Sequence, residues 1–335
     1  SIFLIYIGAG VLFVKAVATG VYMLRLVLVK IYAKRKYPAL DFYAEPNEGA
    51  LKQKNAALLH QVVGIIVNNT DTTVLTICLG AKSLLEVSVY GIYMMVVNAV
   101  NQLMTSFSNG LTAGFGEVIA KNEEETLKKS YSSYEYMYFV IMFIVIACMG
   151  VLILPFVGVY TINLTDVQYV RPVLGILFTL IVFMQNVRIP GLTIICAAGH
   201  YKETRYQAIL EAVINITVSL GLVWKFGMAG VLLGTVCSYG YRSFEIVFYT
   251  SRHLVKGCAK KSMFRILRNV FTVAILCTVG TYVIPQEITS FTTWFLYAIG
   301  MGLTSVFLVV VINYVVEPDE FMQLRHRVND IIKKE

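Results

Sequence analysis

Residues 134–160, YEYMYFVIMFIVIACMGVLILPFVGVY, decide the fold class, because Glu135 is the one charged side chain in this run of 27 residues. A helix needs about 20 mostly apolar residues to cross the hydrocarbon core of a bilayer. It also satisfies its own backbone polar groups there, where no water is present to do so. The run is therefore long enough for one membrane crossing and too apolar for the surface of a soluble domain.

The whole chain shares this character. Of its 335 residues, 57% are hydrophobic and only 14% are charged, and the mean hydropathy is +0.70. Ordinary soluble domains are about 25% charged, so a soluble core alone cannot absorb this composition. The sequence predicts an all-α polytopic membrane protein.

Glycine, proline and charged residues divide the chain into nine apolar runs. The predicted spans are residues 2–31, 56–79, 84–112, 134–160, 170–198, 206–226, 228–250, 266–284 and 291–316. After them, Pro318 with its acidic neighbours precedes apolar residues at Phe321, Leu324, Val328 and Ile331. Proline and acids are typical of a helix start, and this spacing predicts an amphipathic tail at the surface of the cytoplasmic leaflet.

Lysine and arginine give the orientation. When the connection between the first two spans is placed in the cytoplasm, only Lys82, Arg171 and Lys225 lie in outer loops, and the other loop lysines and arginines lie in cytoplasmic ones. Cytoplasmic loops carry such an excess, so we expect the start of the chain outside and its C-terminus inside. The chain also opens within an apolar stretch without Met, as expected for the remainder of a longer protein.

Several predicted spans carry polar residues on one helical face, where they usually meet a bundle interior or a hydrated cavity. The stripes comprise Gln61, Gly64, Asn68 and Asp71; Asn98, Asn101 and Thr105, with Gln102 beside them; Gln185, Asn186 and Arg188, just before Pro190; and Gln207, Glu211, Asn215 and Ser219. Hydrogen-bonded contact between helices is the alternative, and both interpretations stay open for Asn98, Asn215 and Ser219. A cavity is favoured for Asp71 and Arg188, because a lone charge at mid-depth needs water or a partner. Pro190 predicts a kink.

The run at 228–250 has a different pattern. Gly230, Gly234 and Ser238 repeat at every fourth residue, which is typical of helices that approach closely. Arg242 and Glu245 extend the same side and are expected to pair at a spacing of three. This face predicts helix packing.

Several kinds of chemistry have no motif in this sequence. It contains no Gly-rich phosphate loop and no HExxH pair, and its histidines are scattered. The six cysteines lie mostly inside apolar runs and lack metal-ligand spacing, so we expect buried free thiols. The basic residues flank apolar runs and do not mark a nucleic-acid surface. We expect no enzyme activity, metal, cofactor or nucleic-acid partner.

Several short stretches resemble a known family, and the resemblance runs over nearly the whole chain. They are residues 68–72 (NNTDT), 197–204 (AAGHYKET), the series Gln207, Glu211, Asn215 and Ser219, and residues 227–235 (GMAGVLLGT). In order and spacing they are similar to the bacterial polysaccharide (oligosaccharide) flippases of the MOP exporter superfamily, whose relatives include MATE drug exporters and lipid II flippases.

The resemblance implies a MATE-like transporter with two lobes of six helices and additional helices at the C-terminus. Residues 1–54 would hold the last helix of the N-terminal lobe and the inter-lobe linker, and residues 55–250 the C-terminal lobe. Residues 251–316 would form a basic loop and two additional helices, and residues 317–335 the tail. About five N-terminal helices of the family would then be lacking from this chain.

The implied function is the transfer of undecaprenyl-diphosphate-linked oligosaccharide across the bacterial cytoplasmic membrane by alternating access. Lys15, Arg25 and Arg188 are candidate partners of the diphosphate. Asp71 and Glu211 would carry a coupling proton or sodium ion, or neutralise Arg188. The full predicted cavity set is Lys15, Arg25, Asn68, Asp71, Asn98, Asn101, Gln102, Gln185, Asn186, Arg188, Glu211 and Asn215.

A MATE-like exporter of cationic drugs or metabolites is the first alternative, although it would favour an acidic cavity. A membrane-embedded glycan polymerase or ligase is the second, and the short outer loops disfavour it.

Overall fold

The computed structural model describes residues 10–37, 53–285 and 288–323, together with Gly8 and Arg325. Within these residues the regular structure is entirely helical. The helices are α1 (Val11–Lys36), α2 (Lys54–Cys78), α3 (Ser83–Ser108), α4 (Leu111–Ala120), α5 (Glu124–Tyr160), α6 (Pro172–Val187), α7 (Ile189–Ala197), α8 (Arg205–Phe226), α9 (Met228–His253), α10 (Cys258–Val283) and α11 (Phe291–Val316).

Seven helical segments of the described chain are long and apolar enough to cross a membrane. They are Leu12–Lys36, Gly80–Ala120, Glu124–Tyr160, Pro172–Ala197, Arg205–Phe226, Cys258–Val283 and Phe291–Val316. The protein is thus an all-α polytopic membrane protein, as predicted. The predicted spans at 56–79 and 228–250 coincide with α2 and α9, which are long enough but carry too many polar side chains to qualify by apolar character. The count of nine crossings stays a prediction.

The chain divides into two units, residues 1–52 and residues 53–335. In the first unit, α1 continues five residues beyond the predicted span end at residue 31. Its last turn contains Lys34, Arg35 and Lys36, and cations are favourable there because the helix dipole is negative at its C-terminus. Residues 2–7 and 9 of that predicted span lie outside the described part of the chain.

In the second unit, α8 and α9 form a hairpin turned at Gly227, whose φ is 57°. The small residues of α9 face α8. A Cβ atom on Gly230 would lie 2.4 Å from the carbonyl oxygen of Leu222, and one on Gly234 would lie 2.2 Å from Oγ of Ser219. The predicted close packing of this face is confirmed, because neither position has room for a side chain.

Around this hairpin, α2 packs against α3, α8 and α9, while α6 packs against α3, α5 and α9. The predicted span at 170–198 is two helices, α6 and α7, which meet at Arg188. Pro190 lies in the first turn of α7. Backbone N–H groups in a first turn have no acceptor within the helix, so the helix loses no hydrogen bond at proline. The predicted irregularity at Pro190 is therefore a break between helices, and it places Arg188 at that break.

Helices α10 and α11 pack on α5, and an ion cluster joins the three near one end. This tail ion cluster consists of Glu135 of α5, Lys261, Arg265 and Arg268 of α10, and Glu317 and Glu320 after α11. The Arg265 side chain is 1% exposed and lies 3.0 Å from both Glu135 and Glu317. Three cations meet three carboxylates, so the cluster is electrically balanced within the interface.

The start of the predicted tail joins the same cluster. Residues 318–323 are helical, and the predicted apolar positions beyond Arg325 lie outside the described residues. Burial raises the pKa of Glu320, but hydrogen bonds from Lys261 and Ser132 and the nearby charge of Arg265 outweigh burial and hold that pKa below its ordinary value. The carboxylate is therefore ionised near neutral pH and fastens the tail to α5 and α10.

Candidate functional site

A cavity of about 450 Å³ lies within the second unit between α2, the α6–α7 break, α8 and α9. Its polar lining comes from all of these helices and from the loop between α7 and α8: His60, Gln61, Asn68, Gln185, Arg188, Tyr201, Thr204, Glu211, Tyr239 and Arg242. Apolar residues such as Val63, Leu192 and Ile246 complete the wall. The α6–α7 segment and α8 are long and apolar enough to cross a membrane, so the cavity is a polar compartment beside apolar helices.

Four charged side chains form a chain of ion pairs at this cavity. Arg188 donates through Nη1 to Oε1 of Glu211, and Oε2 of the same carboxylate lies 3.6 Å from Nε of Arg242. Arg242 in turn donates through Nη1 to Glu245, three residues along α9. The predicted pairing of Arg242 with Glu245 is confirmed. One carboxylate, Glu211, is thus shared between two guanidinium groups.

Tyr239 positions Arg188 from the opposite side. The guanidinium carbon lies 4.5 Å from the centre of the Tyr239 ring, within the range of a cation–π contact. The Tyr239 hydroxyl donates to Oδ1 of Asn68 at 3.2 Å. Asn68 of α2 therefore orients the Tyr239 ring that contacts Arg188, and side chains of α2, α8 and α9 together hold the guanidinium in place.

A second polar group is buried beside the cavity and centres on Asp71. Its Oδ1 accepts a hydrogen bond from Thr235 at 2.7 Å, and its Oδ2 accepts one from Tyr90 at 3.3 Å. Asn215 donates to Thr235 at 3.0 Å, and its own Oδ1 is buried without a hydrogen-bond partner among the described residues. The group therefore combines one carboxylate with neutral oxygens and one vacant acceptor.

A third group is a closed hydrogen-bond network between α3, α5 and α6. Asn101 donates to Gln185 at 2.9 Å, Asn186 donates to Asn101 at 3.0 Å, and Tyr138 donates to Asn186 at 2.9 Å. Each amide here serves a neighbouring helix, which is the contact role of polar residues in membrane bundles.

The loop between α7 and α8 covers one end of the cavity. Nε2 of His60 lies 3.0 Å from the carbonyl oxygen of Tyr201 and 3.3 Å from the Thr204 hydroxyl. Burial raises the pKa of the Tyr201 phenol to about 12. The phenol therefore stays neutral near physiological pH.

The structure divides the predicted cavity residues into several groups. Asn68, Gln185, Arg188 and Glu211 line the cavity. Asp71 and Asn215 lie in the buried group beside it, and Asn101 and Asn186 belong to the closed network. Asn98 and Gln102 are exposed on α3, and Lys15 and Arg25 are exposed on α1 in the other unit.

The sequence leaves Asp71 and Glu211 open as the carboxylate that neutralises Arg188. The alternative with Asp71 is wrong, because its carboxylate accepts hydrogen bonds from Tyr90 and Thr235, and the alternative with Glu211 is confirmed. Asp71 and Arg188 share the polar interior without contact, because α8 supplies the nearer carboxylate.

The sequence did not identify Arg242, Tyr239 and His60 as cavity residues. Arg242 was assigned to helix packing, because it follows the small-residue stripe of α9. Its side chain is 3% exposed yet borders the cavity. A buried arginine needs a carboxylate nearby, and that requirement was the available signal for its contact with Glu211.

The described residues contain no group of three or more His, Cys, Asp or Glu side chains arranged to hold a metal ion. All six cysteines are free; the expectation that they are buried is wrong, because five are half-buried and Cys237 is exposed. No protein-family model matches the chain, and no curated protein matches it. Its function is therefore argued from the geometry of this cavity.

Proposed function

We propose that this protein moves an undecaprenyl-diphosphate-linked oligosaccharide across the bacterial cytoplasmic membrane by alternating access, for surface polysaccharide synthesis. The observation that supports this is the pair of arginines in the cavity wall. Within a membrane-crossing bundle, Arg188 and Arg242 face one lining carboxylate, Glu211. A polar compartment with two guanidinium groups suits the anionic headgroup of a lipid whose chain stays in the bilayer.

The same observation weighs against a cationic cargo. A MATE-like exporter of cations would favour carboxylates and aromatic walls, whereas the described lining contains one carboxylate and two arginines. Guanidinium groups repel cations and bind phosphate bidentately. Glu211 and Glu245 balance the two arginine charges, so it is the guanidinium donors and not the net charge that favour the lipid-linked diphosphate over a cationic drug.

The Asp71 group is the proposed site of the coupling proton or sodium ion. The Asp71 carboxylate accepts hydrogen bonds from the hydroxyls of Thr235 and Tyr90, and Asn215, which donates to Thr235, keeps a buried Oδ1 without a partner among the described residues. Carboxylate, hydroxyl and amide oxygens are the ligand types that a small hard cation takes. Asp71→Asn should insert normally and export glycan without dependence on the ion gradient. Undiminished gradient-dependent export at normal abundance would exclude this role.

Arg188 gives the direct test of the proposed cargo. Export of lipid-linked glycan is measured in cells that carry each variant in the complete protein as their sole copy, with membrane abundance measured in parallel. We expect Arg188→Ala to abolish export and Arg188→Lys to restore part of it, because a lysine supplies the charge without the guanidinium fork.

Arg171 provides the matched control. It also pairs with a glutamate, Glu86, at 2.8 Å, but it lies outside the cavity lining. Arg171→Ala should leave export near normal at equal abundance. Full export by Arg188→Ala, or an equal loss in both alanine variants, would contradict the proposal. Accumulation of unpolymerised glycan on the outer face would instead indicate the polymerase or ligase alternative.

A further inference from the structure

The guanidinium groups of Arg188 and Arg242 lie close enough to be bridged by one small anion. Glu211 contacts both through its two carboxylate oxygens, which occupy the position that an anionic ligand would take. The side chains are largely buried: 14% of the Arg188 surface, 3% of the Arg242 surface and 9% of the Glu211 surface are exposed. An anion at this point would thus be held with little competition from water.

The pairing with Glu211 leaves donors unused. Nε of Arg188 is buried and has no hydrogen-bond partner among the described residues. Nε of Arg242 lies 3.6 Å from Glu211, which is an ion-pair distance and too long for a hydrogen bond. A carboxylate has only two oxygens to offer, so the two guanidinium forks hold more donors than Glu211 can satisfy.

We propose that Arg188 and Arg242 form a diphosphate site that Glu211 occupies when no ligand is bound. This site rests on the proposed function and adds to it the displacement of Glu211 by the ligand. A diphosphate carries more charge and more acceptor oxygens than a carboxylate, so it replaces Glu211 and reaches the unused donors. Glu211 acts as an internal competitor, which a monophosphate displaces less well.

Arg242 keeps a counter-ion throughout this exchange. Its Nη1 stays with Glu245, which is outside the described cavity lining. Arg188 keeps its contact with the Tyr239 ring. Neither guanidinium therefore has to leave its position when the ligand arrives, and the carboxylate of Glu211 is the group that moves.

Binding of inorganic pyrophosphate to the full-length purified protein tests the site, with inorganic phosphate as the comparison. Titration calorimetry should show pyrophosphate binding that Arg188→Gln and Arg242→Gln each weaken by about tenfold or more. Glu211→Gln removes the competing charge while keeping the side-chain shape, and it should tighten pyrophosphate binding by about tenfold. Glu86→Gln, in the ion pair outside the cavity, should change nothing.

A folded Glu211→Gln variant that binds pyrophosphate no better than the wild type would overturn the inference. Should that variant fail to fold, the wild type still decides, because equal affinity for phosphate and pyrophosphate contradicts a two-guanidinium site. Titrations with a short isoprenyl diphosphate and with uridine diphosphate identify the source of the ligand. Tighter binding of the isoprenyl compound supports a lipid carrier. Tighter binding of the nucleotide keeps the site and contradicts the proposed cargo.

Discussion

Replacing Gly234 with alanine tests whether the close approach of α8 and α9 holds the charged centre together. The added Cβ would lie 2.2 Å from Oγ of Ser219, 2.7 Å from its backbone nitrogen and 3.0 Å from its Cα. A hydroxyl can rotate away but a backbone cannot, so the helices must separate by roughly 1 Å to reach ordinary contact distances. Overpacking of this kind costs about 1–3 kcal/mol.

The separation would also reach the cavity, because α8 carries Glu211 and α9 carries Arg242. We expect Gly234→Ala to lower the midpoint of thermal unfolding in detergent by several degrees and to reduce export. Adding Ser219→Ala should restore only part of the stability, because it removes the hydroxyl contact and leaves the contact with the backbone nitrogen.

Gly240 on the same helix is the control, since a Cβ there meets no atom within 4 Å. Gly240→Ala should be neutral or stabilise the helix by up to about 1 kcal/mol. Wild-type stability of Gly234→Ala, or equal damage from both substitutions, would refute the packing argument.

Three further predictions concern the tail ion cluster and the orientation. Glu135→Gln leaves the buried Arg265 short of one carboxylate, and the unfolding free energy should fall by about 3 kcal/mol in a denaturation assay, with Glu317 limiting the loss. The pKa of Glu320 is lowered in the folded protein, so its contribution to stability is complete above the ordinary value of 4.5 and is lost as the pH falls through the lowered value. A spin label in residues 318–323 should therefore stay immobile at pH 6 and become mobile in acid. Of the variants Lys82→Cys and Lys128→Cys, only Lys82→Cys should gain labelling by an impermeant reagent added outside. Labelling of the cysteine at position 128 would contradict the predicted topology.

The fold class and the polar faces of the helices follow from the amino-acid sequence alone. Apolar runs of membrane length need no partner to be recognised, because a helix in lipid satisfies its own backbone. The four-residue spacing of Gly230 and Gly234 likewise predicted a contact that the structure contains. Pro190 marked an irregularity for a local reason, its missing backbone donor.

Which polar residues meet depends on how the helices pack, and the sequence does not specify that packing. Helical periodicity gives the face on which a side chain lies, but it gives neither the neighbouring helix nor the depth at which two faces touch. Asp71 therefore lies against Tyr90 and Thr235, and Arg188 lies against Glu211, although the sequence allowed them to pair. Arg242 became part of the cavity for the same reason, because α8 carries its partner carboxylate and the α8–α9 hairpin brings the two helices together.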